Sequence, residues 1–122
     1  VKIRVVIPSN TESGKELAEH FGRAPYFTVV DLDDDGSLIA VNVYPNTGEH
    51  SGGMGHAHDN ILKYNPHVVI VQGMGPRGII SFQSQNIAVL QANSRSIEDL
   101  VKAYSRNELP ELTEGCAEAH HR

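Results

Sequence analysis

One cysteine stands in this chain, and no tryptophan. A lone Cys116 excludes an intramolecular disulfide and any iron–sulfur cluster held by four thiolates of a single chain. Cations are scarce as well. Ten Lys and Arg stand against fifteen Asp and Glu, for a net charge of −5. Proteins that grip a phosphate backbone show the reverse balance, so nucleic-acid binding is not expected. Long apolar runs are also missing. Nothing approaches the roughly 18 residues that cross a bilayer, and the apolar stretch from Lys2 to Ile7, broken by Pro8, is too short for a secretory signal. A cytoplasmic protein with no membrane contact is therefore the expectation. What is plentiful is histidine, seven in 122 residues, which raises the question of metal. The length suits one domain, and an apolar content of 39% is that of an ordinary globular chain.

Short runs rich in Val and Ile predict buried strands at Ile3 to Ile7, His67 to Val71 and Ile87 to Leu90. Tyr26 to Leu32 and Leu38 to Tyr44 predict a hairpin around Asp33-Asp34-Asp35-Gly36. Strict alternation along its second strand puts Ile39, Val41 and Val43 on the core face. Capping-box spacing at Ser13 and Glu16 predicts a first helix carrying Leu17, Ala18 and Phe21 and stopping at Gly22. A second helix is expected from about Ala57 to Tyr64, and a third from Pro76 to about Ser84. A fourth is capped by Ser96 and carries Ile97, Leu100, Val101 and Tyr104 at helical spacing. Strands alternating with helices give an α/β fold of three layers. Residues 1–110 form the domain, and residues 111–122 read as a polar tail.

Four segments carry candidate chemistry. Gly73-Met74-Gly75-Pro76-Arg77-Gly78 leaves a strand and opens a helix. Its glycines let backbone N–H groups approach an anion at a helix N-terminus. A dinucleotide site is disfavoured, since the next strand ends Gln91-Ala92-Asn93 without an acid and the chain is too short for two nucleotide halves. An anion or cluster site and a purely structural turn both remain open. The glycine-rich segment around Gly53 and Gly55 carries His50, His56 and His58, either as a ligand loop or as a solvated one. On a helix His56 and His58 would point about 200° apart and could not share a metal. Cys116, His120 and His121 offer a soft and borderline ligand set in the tail, without a fourth member. The run from Asp31 to Gly36 has Asn42 where a calcium loop needs a bidentate Glu, so a hairpin turn is preferred.

The segment His20-Phe21-Gly22-Arg23-Ala24-Pro25-Tyr26-Phe27 resembles the dinitrogenase iron–molybdenum cofactor biosynthesis family of small nitrogenase accessory factor-like proteins. The glycine-rich segment, the Gly73–Gly78 turn and the closing Ser96–Tyr104 helix support the likeness, which spans residues 1 to about 110. It implies a ribonuclease-H-like three-layer α/β/α fold. The mixed five-stranded sheet would have order 3-2-1-4-5, with strand 2 antiparallel to the others. Loops 8–13, 45–58, 73–78 and 91–95, together with the His20–Arg23 turn, would then gather at one edge of the sheet, where open α/β sheets bind ligands.

The resemblance implies a non-enzymatic carrier or scaffold for an anionic metal–sulfur cofactor or its precursor, of the iron–molybdenum or molybdenum–copper kind. A donor or acceptor protein would exchange that cargo. His20, Arg23 and the backbone at Gly53, Gly55, Gly73 and Gly75 are the expected cup. His56 is the foremost side-chain ligand, ahead of His50 and His58. Two rival readings are a metal-free module for a phosphate-bearing metabolite or regulatory partner, and a metal-dependent hydrolase. The hydrolase needs clustered carboxylates, which the predicted crevice loops lack.

Overall fold

The computed structural model describes residues 2–46 and 60–112. Five strands form one sheet: β1 (Ile3–Ser9), β2 (Tyr26–Leu32), β3 (Leu38–Pro45), β4 (Val68–Val71) and β5 (Ala88–Gln91). Their order is β3-β2-β1-β4-β5. β1 runs parallel to β4, β4 parallel to β5, and β2 antiparallel to both β1 and β3. The expected mixed sheet of order 3-2-1-4-5, with strand 2 reversed, is therefore present. β1 and β4 are central and covered on both faces, which is why Val5–Ile7 and Val68–Val71 read as unbroken Val and Ile.

Two cores flank the sheet. On one face Phe21, Phe27, Ile61 and Phe82 pack against Val6, Val69 and Val89. Helix α1 (Pro76–Gln83) and a helical stretch at residues 60–62 cover this side. On the other face Leu17, Ile97, Leu100 and Leu109 pack against Val5, Ile7, Val30 and Ile70, under helix α2 (Ile97–Ser105). The Ser96 cap forms as its spacing predicts, with Oγ accepting from the Asp99 N–H at 3.3 Å. No helix among the described residues is long and apolar enough to cross a membrane.

Three sequence expectations are corrected. The first helix is absent. Residues 14–20 form no helix, only isolated bridges from Glu16 to Ser96 and from Leu17 to Ser9, and a 3-10 turn, Phe21–Arg23, follows them. The backbone groups that a helix would pair internally bond across the fold. Leu17 N–H donates to the Arg95 carbonyl, Ala18 N–H to the Pro8 carbonyl, and Ile97 N–H to the Lys15 carbonyl. The apolar trio accordingly splits, with Leu17 in one core and Ala18 and Phe21 in the other.

The second correction concerns β3. A β-bulge shifts its register opposite Asp31 and Leu32, so that Leu38 pairs with Leu32 while Ala40 pairs with Asp31. Ile39 is the additional residue, and past it the alternation changes phase. Leu38 and Val41 then share the face of Val30, while Tyr44 sits on the opposite face, stacked on Tyr64 at 4.9 Å. Neither face of this edge strand is core: Ile39 is 51% exposed and Val41 49%.

Third, the polar tail does not begin cleanly at residue 111. Glu111 bridges Leu90, and Leu112 N–H donates to the Val89 carbonyl at 2.8 Å. Leu112 packs against the first core.

Candidate functional site

The C-terminal ends of β1, β4 and β5 and the start of β2 lie along one edge of the sheet. A cavity of about 350 Å³ opens there, between residues 19–22 and residues 72–75. The two walls are remote in sequence and adjacent only because β1 and β4 pair.

The first wall is the 3-10 turn. His20 precedes it in extended conformation and its carbonyl accepts from the Arg23 N–H at 3.1 Å. Phe21 anchors the turn, meeting Phe82 edge-on with ring centroids 5.9 Å apart. The buried Phe21 fixes the backbone, and leaves His20 solvent-facing at the cavity.

The second wall is the exit from β4. Gly75 caps α1 in extended conformation, Pro76 occupies the first turn, and neither a side-chain cap nor an acidic residue is present there. Among the described residues the backbone N–H groups of Gly73, Met74 and Gly75 have no hydrogen-bond partner. A Cβ at Gly73 or Gly75 would meet nothing within 4 Å. A ligand can therefore approach this backbone closely, at the positive end of a helix dipole.

Of the expected cup, the structure brings together His20, Gly73 and Gly75. Arg23 is exposed at the end of its turn and does not line the cavity. Gly53, Gly55, His50, His56, His58, Cys116, His120 and His121 lie outside the described residues. The described residues on either side of the glycine-rich segment, Asn46 and Asn60, are hydrogen-bonded to each other. Asn60 Nδ2 donates to Asn46 Oδ1 at 2.7 Å, and Asn46 Nδ2 donates to the Ala24 carbonyl at 2.8 Å. The chain thus leaves and re-enters the described fold beside the His20 turn.

Sequence reasoning missed Glu19, Gln72 and Met74, which also line the cavity. Glu19 Oε2 meets Arg95 Nη1 at 3.2 Å, and Arg95 also approaches Glu16 at 3.8 Å. These ion pairs are half-exposed and contribute little to stability, but they bring the loop after β5 to the rim and offset the Glu19 charge. Met74 is a soft thioether donor flanked by glycines, a signal that its sequence context did carry. Among the described residues no group of three His, Cys, Asp or Glu is placed to hold a metal ion.

His67 serves the scaffold, with Nδ1 accepting from the Arg4 N–H at 2.9 Å. Asp31 does so too, clamped by Arg4 through contacts of 2.8 and 3.2 Å. The remaining acids of that run, Asp33 to Asp35, form the hairpin turn, closed by Gly36 N–H donating to the Asp33 carbonyl.

Residues 1–107 match the family described as "Dinitrogenase iron-molybdenum cofactor". The chain belongs to that family. A relative from Methanocaldococcus jannaschii, described as uncharacterized, is 30% identical over 112 residues, 89% of either chain. Among solved structures, PH0822 superposes with a TM-score of 0.76 at 28% identity, over 92% of this chain and 98% of that one. The apo form of the orange protein from Desulfovibrio gigas gives 0.72 at 20% identity, over 89% and 92%, a likeness of fold. In this dinitrogenase-cofactor family member, the cavity between His20 and Gly75 is bordered by backbone donors that have no partner among the described residues.

Proposed function

We propose that this protein is a non-catalytic carrier or scaffold for an anionic metal–sulfur cofactor or its precursor, of the iron–molybdenum or molybdenum–copper sulfide class. Nothing in the reading requires a link to nitrogen fixation. The observation that supports it is the Gly73–Gly75 backbone, whose N–H groups, unpartnered among the described residues, border a cavity with His20 on the opposite wall. Sulfide-rich clusters are commonly anionic, and backbone donors at a helix start suit them without fixing one ligand geometry. Met74 and His20 add one soft and one borderline donor. So few side-chain ligands favour reversible holding, which transfer to an acceptor protein needs. Gly53, Gly55 and the histidines His56, His50 and His58, on the segment between Asn46 and Asn60, complete the proposed cup, and Arg23 is proposed to contribute its charge from the end of the turn, outside the cavity lining. Cys116, His120 and His121 are a secondary proposal for the tail.

Anaerobic incubation with tetrathiomolybdate and Cu(I), followed by gel filtration and metal analysis, tests this. Molybdenum co-eluting at about one equivalent is the expected result. His20→Ala and His56→Ala should each weaken retention about tenfold, the scale of one lost charge-assisted hydrogen bond. No retained molybdenum or copper would defeat the proposal.

A metal-free phosphate-binding module is the second reading, because an uncapped helix start free of acids suits phosphate equally. Thermal stabilisation by nucleotide or inorganic phosphate, in protein shown to be metal-free, would select it instead.

A further inference from the structure

The two faces of the sheet are unequally covered. α1, the helical stretch at 60–62 and the Phe21 turn fill one face. On the other, α2 is the only α-helix among the described residues, and it packs over Val5, Ile7 and Ile70 near the middle of the sheet. The β2–β3 side is left with an open groove of about 670 Å³, and none of its lining residues belongs to the His20–Gly75 cavity.

Its floor is apolar. Val30 lies at the bottom, and the bulge in β3 turns both Leu38 and Val41 into the groove, 60% and 49% exposed. Val101 and the edge of Ile97 form the wall on α2. Charge is distributed differently. Lys15, Lys102 and Arg106 line the groove, three of the ten cations in a chain of net charge −5. Among the described residues none of the three has an ion-pair partner within 4 Å. Glu98 is the one acid lining it. An apolar trough rimmed by cations, in an acidic protein, is complementary to an apolar body bearing negative charge.

At about 670 Å³ the groove falls within the range of about 300–1,000 Å³ typical of small-molecule pockets, and its apolar floor and cationic rim suit a small amphipathic anion.

We infer that this groove binds a free amphipathic organic anion, a long-chain carboxylate, with the chain along Val30, Leu38 and Val41 and the carboxylate at Lys102 and Arg106.

The test titrates the full chain with dodecanoate, dodecanol and dodecyltrimethylammonium, each below its micellar concentration, by calorimetry and amide-shift NMR. Dodecanoate should bind one to one, about tenfold or more tighter than dodecanol, with shifts centred on Val30, Val41 and Val101. The double variant Lys102→Gln/Arg106→Gln should erase that preference while leaving dodecanol affinity unchanged. Val41→Trp, at a half-exposed position that leaves the core intact, should block both ligands by filling the trough. Equal affinity for dodecanoate and dodecanol would overturn the inference. So would shifts centred on His20 and Gly75, or binding indifferent to these substitutions in variants whose NMR spectra remain folded.

Discussion

The Arg4–Asp31 pair shows what a single residue contributes to this fold. Asp31 is 5% exposed on a largely apolar strand, and an unpaired carboxylate there would be costly. The Arg4 guanidinium supplies two contacts to it and donates a third hydrogen bond to the Tyr64 carbonyl at 2.9 Å. The hydrogen bond from Arg4 holds the Asp31 carboxyl below the usual carboxylate range, against the opposing effect of burial. A carboxyl whose pKa is lowered on folding stabilises the fold above its unfolded value of about 3.9, and that contribution disappears as pH falls through the lower folded value. Asp31→Asn should therefore cost about 1–3 kcal/mol at pH 7. The gap in urea midpoint between the two proteins should close as pH falls from about 5 to about 2. A gap that stays constant over that range would refute the assignment.

At the scale of elements, the strands were legible and one helix was not. Val68–Val71 and Ile3–Ser9 are runs that only a sheet covered on both faces would bury. The Ser13–Gly22 segment carries an equally good local signal for helix, but non-local bonds outcompete it. Gly14 settles the matter, with φ at +70° and a backbone so close to β3 that a Cβ would overlap the Val43 side chain and press on Thr28 Oγ1. Alanine at 14 favours helix in isolation, yet here it meets both a left-handed conformation and a filled space. Gly14→Ala should destabilise by about 2–3 kcal/mol, read as a lower denaturation midpoint with shifts at Thr28 and Val43. A stabilised variant would mean that the segment can become helical after all. The bulge at Ile39 was hidden for a related reason. Period-2 reasoning assumes an unbroken ladder, and a one-residue insertion reverses every face beyond it.

For the molecule as a whole, the candidate site was legible as far as backbone chemistry reaches. Gly73 and Gly75 announced themselves by following a strand and opening a helix, and His20 through the family likeness. Glu19 and Gln72 did not, because each lies outside any motif and enters the cavity only through the pairing of β1 with β4. The two sheet edges are also treated differently. β3 is uncovered among the described residues, while β5 is faced by residues 110–112, which take the Gln91 N–H at the Pro110 carbonyl and donate from Leu112 to Val89. Ending the chain at Leu109 should uncover β5 and free Gln83 Nε2, which now bonds the Leu112 carbonyl. Sedimentation velocity should then show association that grows with concentration, and a strictly monomeric truncation would contradict this.

That three-residue strip decides how many neighbours the sheet can recruit. With one end open, edge-to-edge pairing stops at two copies, because each consumes the margin that β3 leaves uncovered among the described residues. With both ends open, every addition would leave a fresh margin behind it, and the same contacts would propagate into a fibre.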